Sequence, residues 1–136
     1  YQTLVPFVAL ESNTQTFAGY KVIAHKVPHG ANGFAYGLRF ENSSLCWAYI
    51  PDSINLQDLT PWQRLDLLVL GTSFYFEDAP VESRSVYSVL EAVQLLHKIK
   101  PKQTIFTHLG HGVDVRKVAP ENTRYARDGL AIQIGD

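Results

Sequence analysis

Three side chains that could bind a metal ion follow predicted strands in this sequence: His29, Asp52 and His108. Imidazole and carboxylate groups are common protein ligands of zinc and related divalent ions. His111 follows His108 at a His-x-x-His spacing, and a second imidazole can act as a further ligand or transfer a proton. These residue types favour metal-assisted hydrolysis as the chemistry of the protein.

Each candidate also has an ordinary structural explanation. Asp52 could cap a turn or a helix, and a His-x-x-His pair alone is a weak motif. His25, in a predicted strand, and His97, late in a predicted helix, are interpreted as surface or packed residues without a role in a site. His29 differs because it begins a loop with two glycines, which lets the backbone approach a ligand closely.

The first half of the chain is rich in β-branched and aromatic residues separated by turn formers, which predicts a β-meander. The expected strands cover residues 3–10, 20–27, 34–40 and 45–50. The polar tetrapeptide at residues 41–44 predicts a hairpin between the last two of these strands. This hairpin lies between His29 and Asp52 and could bring the two side chains close together.

The second half alternates strands with a helix. Residues 65–70 are almost continuously aliphatic, which predicts an interior strand covered on both faces. Apolar residues at helical spacing predict an amphipathic helix over residues 84–98, ended by Pro101. A short strand at residues 103–107 leads directly into His108, and Asp128-Gly129 predicts a hairpin between strands at residues 123–127 and 130–134.

Composition narrows the class of protein. The 136 residues are 46% hydrophobic and 18% charged, with a net charge of -1, and they show no repeat or linker, so we expect one globular unit over residues 1–136. Scattered basic residues give no indication of nucleic-acid binding. Cys46 is the single cysteine, and the longest apolar run is too short to span a bilayer. A cytoplasmic protein is expected, and the absence of an initiator Met suggests a fragment or a processed product.

Other common catalytic motifs are missing from the sequence. It contains no Gly-x-Ser-x-Gly, no glycine-rich phosphate-binding loop with a Lys-Ser/Thr, and no Cys-x-x-Cys. Metal-assisted hydrolysis is therefore the chemistry with the most coherent set of residues.

Several segments, taken in order, resemble the metallo-β-lactamase-fold phosphodiesterases. The matching segments are residues 27–29, 34–40, 47–52, 105–111 and 125–132. They are similar to that family's loop histidine, the strand after it, the strand that ends in an aspartate, the Thr-His-x-x-His segment and the closing Tyr-Asp-Gly hairpin. The nearest branch is the phosphoribosyl cyclic phosphate phosphodiesterases of the carbon–phosphorus lyase pathway. Residues 68–74 also resemble a relative from pyrroloquinoline quinone biosynthesis.

The resemblance implies a fold and a site. The fold would be α/β (α+β): the C-terminal half of an αββα metallo-β-lactamase sandwich, a mixed sheet with a few helices. His29 would bind the first of two divalent metal ions, zinc or manganese, Asp52 would bridge both, and His108 would bind the second. His111 and Arg84 are the catalytic candidates, and the substrate would be a small-molecule phosphate ester or cyclic phosphate.

Two departures from the family pattern limit these implications. The His-x-His-x-Asp-His motif of the N-terminal half, which supplies the other ligands, is absent. Relatives also tend to have a histidine where this sequence has Arg84, which could bind phosphate but is a poor proton donor. Two hypotheses stay open: the chain is part of a metal-dependent phosphodiesterase, inactive alone, or it is a non-catalytic remnant or interaction module. Either form would need the missing N-terminal half or a second copy as a partner, because half a sandwich exposes a large apolar face.

Overall fold

The computed structural model describes residues 14–134, which form one mixed seven-stranded sheet with its strands in chain order. The elements are β1 (Gln15–Phe17), β2 (Tyr20–Pro28), β3 (Phe34–Glu41), β4 (Cys46–Ile50), β5 (Leu67–Gly71), α1 (Val89–Ile99), β6 (Gln103–Thr107) and β7 (Thr123–Tyr125). Short 3-10 turns lie in the connections at Gly30–Asn32, Thr60–Trp62 and Val81–Ser83. The predicted α/β class is confirmed.

Strands β1 to β4 form an antiparallel meander. The strands predicted at residues 20–27, 34–40 and 45–50 are confirmed to within one residue at either end. The turn between β3 and β4 is fixed by Asn42, whose Oδ1 accepts hydrogen bonds of 2.8 Å from the backbone nitrogens of Ser44 and Leu45. The strand predicted at residues 3–10 lies outside the described residues.

Strands β4 to β7 run parallel to one another. The interior strand expected around residues 65–70 is confirmed as β5, which lies between β4 and β6, and its Leu68 and Leu70 are fully buried. Parallel strands place their carboxyl ends at the same edge of a sheet. The segments that follow Ile50, Gly71 and Thr107 therefore lie side by side.

Helix α1 begins later than the sequence predicts. The expected start at Arg84 is wrong, since Ser88 is the N-cap: its Oγ accepts from the Glu91 nitrogen, and the Glu91 carboxylate accepts from the Ser88 nitrogen at 2.9 Å. Before the cap the chain is extended, and Tyr87 forms a parallel bridge with Thr72. Val86 is buried on this extended segment. It is three residues before Val89 and therefore fits helical spacing without being part of the helix. None of the helices in the described residues is long and apolar enough to cross a membrane.

The closing hairpin is also wrong in part. The turn at Asp128-Gly129 exists, with Gly129 at a φ of 75° and the Leu130 nitrogen donating to the Arg127 carbonyl at 3.0 Å. Residues 130–134 nevertheless form no strand. Strand β7 pairs with β6, and the Ala126 nitrogen extends this pairing by donating to the Phe106 carbonyl, so the segment before the turn has its partner in β6 and not in the segment after the turn.

The two faces of the sheet have different environments. One face packs under α1, where Ala48, Ile50, Leu68, Leu70 and Phe106 are fully buried with the apolar side of the helix. The opposite face presents aromatic side chains that are 36% to 53% exposed: Phe34, Tyr36 and Tyr49. A large exposed apolar face on one side of a sheet is typical of a layer that packs against a second layer.

Candidate metal-binding site

Asp52 and His108 meet at the edge formed by the carboxyl ends of the parallel strands. Asp52 follows β4 and His108 follows β6, and the Asp52 Oδ1 lies 3.5 Å from the His108 Nε2. Both side chains are accessible, with exposed fractions of 38% and 55%. The structure therefore brings together two of the three metal ligands that the sequence predicts, although 56 positions separate them in the chain.

The backbone around this pair is closely packed. A Cβ atom on Gly71, the last residue of β5, would lie 1.6 Å from the Pro51 carbonyl oxygen. The next residue, Thr72, donates its backbone hydrogen to the Thr107 carbonyl at 2.8 Å. His108 itself has a φ of 57°, a left-handed conformation that is uncommon outside glycine. The strand ends that carry Asp52 and His108 are thus fixed by contacts with the end of β5.

The loop after His108 is held by the segment after β5. The Gly110 nitrogen donates to the Ser73 carbonyl at 2.6 Å, and a Cβ on Gly110 would lie only 2.5 Å from that oxygen. His111 follows directly and is exposed. Its imidazole is open to solvent three residues after His108, and a role in proton transfer stays a prediction.

His29 is oriented by a neighbouring backbone carbonyl. Its Nδ1 donates to the Ser85 carbonyl oxygen at 2.8 Å. Because a carbonyl oxygen only accepts, Nδ1 carries a proton, and this tautomer of the neutral ring leaves its lone pair on Nε2. The Asn32 side-chain nitrogen donates to the Ser85 Oγ at 2.7 Å and also to His29 Nε2 at 3.4 Å, a long hydrogen bond that a metal ion on Nε2 would replace. A hydrogen bond on one ring nitrogen is how metal-binding histidines are commonly oriented.

Gly30 attaches the His29 loop to the segment before α1. A Cβ on Gly30 would lie 1.7 Å from the Arg84 carbonyl oxygen, and the φ of Gly30 is 55°. The Ala31 nitrogen donates to the same carbonyl at 3.1 Å. Only glycine fits this position, so the close approach of the two segments depends on it.

His29 does not complete a three-ligand cluster with the pair. The two regions are connected, since the Ile54 nitrogen donates to the Pro28 carbonyl at 3.0 Å. Within residues 14–134, however, no three His, Cys, Asp or Glu side chains are grouped closely enough to hold a metal ion. The donor chemistry fits zinc, whereas the number of grouped ligands is below the three or four protein ligands that zinc takes. This shortage agrees with the absence of the His-x-His-x-Asp-His motif.

The Arg84 side chain is paired with Glu91 and not with Asp52 or His108. Its guanidinium donates through both terminal nitrogens to the Glu91 carboxylate, with the Nη1–Oε2 bond at 2.7 Å, and the side chain is 10% exposed. Arg84 lowers the pKa of Glu91 to about 2 by this hydrogen bonding. The charge of Arg84 is therefore paired with that of Glu91. The contact of Arg84 with the His29 loop is made by its backbone carbonyl.

Two buried hydroxyl groups at the same edge were not identified from the sequence. Ser53 follows Asp52 and Thr72 follows β5, and both residues are fully buried. Neither hydroxyl has a hydrogen-bond partner among the residues that the structure describes. An unpaired buried hydroxyl destabilises a fold by about 1–3 kcal/mol, so each of these two groups needs a physical explanation. In the sequence, the single signal for these two residues is that each lies just after a predicted strand.

Comparisons with solved structures identify the fold. The chain is similar to a diphosphatase from the PhnP family, with 27% identity, a TM-score of 0.68, and coverage of 87% of this chain and 44% of that one. It is similar to the metallo-β-lactamase fold protein YhfI from Bacillus subtilis, with 21% identity, a TM-score of 0.75, and coverage of 91% and 54%. Zn²⁺-bound PqqB from Methylobacterium extorquens matches with 18% identity, a TM-score of 0.64, and coverage of 93% and 55%.

These matches also indicate how much of the fold is present. The chain spans about half the length of the three solved structures. No protein-family model matches the sequence, and no curated protein is significantly similar to it. The mixed sheet, its single described α-helix and the structural similarities together show that the chain has the metallo-β-lactamase fold.

Proposed function

We propose that the protein is part of a metal-dependent hydrolase that acts on a small phosphate ester as a phosphodiesterase. The observation that carries this proposal is the 3.5 Å approach of Asp52 and His108 at the carboxyl ends of parallel strands. The oriented Nε2 of His29 supports it. The similar diphosphatase from the PhnP family gives further support for a phosphate ester over other substrates.

In the proposed mechanism, two divalent ions, zinc or manganese, would polarise the phosphoryl group and activate water at neutral pH. The residues of this chain that would hold the ions are His29, through its Nε2, for the first, His108 for the second, and Asp52 for both. The other ligands would come from the N-terminal half of the fold, which would also cover the exposed aromatic face of the sheet. His111 would transfer a proton to the leaving oxygen.

Arg84 needs a different role from the one that the family resemblance implies. A phosphate ligand would have to release Glu91, which holds both terminal nitrogens of the guanidinium. With that ion pair in place, we assign Arg84 to positioning: its side chain anchors the segment whose carbonyl groups receive the hydrogen bonds from His29 and Ala31.

The proposal is tested on the full-length protein. We expect it to bind about two zinc or manganese ions per chain, measured by elemental analysis, and to hydrolyse bis(p-nitrophenyl) phosphate. His108→Ala should lose most of both properties, while His97→Ala, on the exposed face of α1, should keep both. A protein that contains no metal and hydrolyses no phosphodiester would contradict the proposal.

The alternative is a non-catalytic interaction module of the same fold. The exposed aromatic face favours it, because an uncovered apolar surface of this kind promotes association. A module would keep its oligomeric state, measured by light scattering, when His108 is replaced, and no hydrolysis would be lost. Loss of a measurable hydrolysis in folded His108→Ala would exclude this alternative.

A further inference from the structure

A second feature of the same sheet edge has no role in the proposed metal site. The segment after β5 contains three consecutive exposed aromatic residues, Phe74, Tyr75 and Phe76, with exposed fractions of 44%, 47% and 66%. Contiguous exposed apolar side chains mark a ligand-binding groove or an interaction surface, and aromatic rings bury a large apolar area when they make such a contact.

This aromatic segment is held firmly in place. The Phe74 and Tyr75 carbonyl groups accept hydrogen bonds of 2.8 Å and 3.2 Å from the first two backbone nitrogens of α1, Val89 and Leu90. These are helix nitrogens that have no partner within the helix. The Tyr75 ring is therefore carried by a backbone that is fixed against both α1 and the loop after His108.

Tyr75 forms one wall of a cavity beside the His108 loop. The cavity has a volume of about 310 Å³. Its lining residues are Tyr75, Gly112, Asp114, Lys117, Val118 and Tyr125. Gly112 is in the loop that carries His108 and His111, and a Cβ on it would approach the Phe74 ring at 3.1 Å. Through Gly112 and Tyr75 the cavity is thus lined by the two segments that follow β6 and β5, the strands that lead into His108 and end at Gly71.

The charges of the cavity favour an anionic ligand. The Asp114 carboxylate is neutralised by Arg116 through bonds of 2.8 Å and 3.2 Å. Hydrogen bonding from Arg116, and to a smaller extent the charge of Lys117, lowers the pKa of Asp114, while Lys117 itself forms no ion pair of 4 Å or less within the described residues. Two tyrosine rings with one ammonium group therefore line the same space, which suits a flat ring that carries a negative group.

We infer that this cavity is a binding subsite for a planar aromatic ring attached to phosphate. The ring would stack on Tyr75, with Tyr125 at the base of the cavity, and Lys117 would attract the phosphate. The inference rests on the proposed function in taking the ligand to be a phosphate ester, and it specifies the substrate class as organic phosphates with an aromatic group. A nucleobase or a simple aryl group would satisfy the same chemistry.

The test is a calorimetric titration of the full-length protein with three probes: adenosine 5′-monophosphate, phenyl phosphate and ribose 5-phosphate. At least one aromatic probe should bind about tenfold or more tightly than ribose 5-phosphate, since stacking on an aromatic side chain is worth about 1–3 kcal/mol. Preference for adenosine 5′-monophosphate over phenyl phosphate would identify a nucleobase subsite, and equal or reversed preference would identify an aryl subsite.

Variants separate the subsite from general effects. Tyr75→Ala should remove the aromatic preference, Tyr75→Phe should retain it, and Phe76→Ala, in the same segment but outside the cavity lining, should change nothing. Lys117→Gln should weaken all three probes to a similar extent. Binding that is equal for all probes, absent for all, or unaffected by Tyr75→Ala would overturn the inference.

The titration is independent of catalysis. If the protein hydrolyses no phosphodiester but Tyr75-dependent binding persists, the proposed function fails and the subsite stands. If hydrolysis is found without Tyr75-dependent binding, the subsite fails alone.

Discussion

The carbonyl oxygen of Pro51 occupies the space in which a side chain on Gly71 would begin, 1.6 Å from the position of a Cβ atom. This contact joins the end of β4 to the end of β5, directly before Asp52. The position of the Asp52 carboxylate relative to His108 thus depends on a glycine that contributes no chemistry of its own.

Gly71→Ala should displace Pro51 and move Asp52 away from His108. Overpacking of this kind destabilises a fold by about 1–3 kcal/mol, and the full-length variant should also bind metal more weakly. Urea denaturation and metal titration measure the two effects. Gly129→Ala is the control, since a side chain there is strained by the φ of 75° but meets no neighbouring atom. Equal metal affinity in both variants would show that Gly71 does not position Asp52.

The Arg84–Glu91 ion pair predicts a pH-dependent contribution to stability. The pKa of Glu91 is lowered to about 2, so the stabilisation is fully present above the carboxyl's unfolded pKa and is lost as the pH falls through the folded value. Glu91→Gln should therefore lower the free energy of unfolding at pH 7 by about 1–2 kcal/mol, after allowance for solvent screening at a carboxylate that is one-third exposed.

Urea denaturation of the wild type and Glu91→Gln at pH 7 and at pH 3 checks this prediction. The difference between the two proteins should shrink at the lower pH. Glu82→Gln, an exposed carboxyl near Arg84, should differ little from the wild type at either pH. A difference for Glu91→Gln that does not change with pH would assign the effect to the helix cap instead of the ion pair.

Much of the candidate site could be predicted because it follows strand ends. Asp52 and His108 come directly after apolar β-strand sequences, and the parallel order of β4, β5 and β6 brings such positions together whatever the loops do. The surroundings of Arg84 could not be predicted. Arg84 bonds to Glu91, seven positions later in the chain. This bond requires an extended segment before α1, whereas the apolar Val86 in that segment fits the spacing of a helix and therefore predicted one.

The orientation of His29 shows the same limit. Its ring is fixed by the carbonyl of Ser85, a backbone atom that any residue type would supply, so the sequence holds no signal for the contact. The strand predicted at residues 130–134, after Asp128-Gly129, is absent for a similar reason. Turn residues specify the turn itself, but they do not specify a partner for the segment that follows it.

Thr72→Val tests whether the buried hydroxyl after β5 is a structural group. Thr72 is fully buried and its Oγ1 has no partner in the described part of the chain, so valine should be neutral or should stabilise the fold by up to about 1 kcal/mol. Thermal and urea denaturation of the full-length protein give the answer. A loss of stability greater than about 1 kcal/mol would mean that the hydroxyl has a partner elsewhere in the protein.

His111→Gln tests proton transfer to the leaving group. A general acid accelerates the departure of a basic leaving group by about 10²–10⁴-fold and contributes little when the leaving group is already a good one. Hydrolysis of a methyl phosphodiester should therefore fall far more in the variant than hydrolysis of a p-nitrophenyl diester, with metal content unchanged. His97→Gln, on the exposed face of α1, should leave both rates as they are. An equal loss for the two substrates, together with a loss of metal, would identify His111 as a metal ligand instead of an acid.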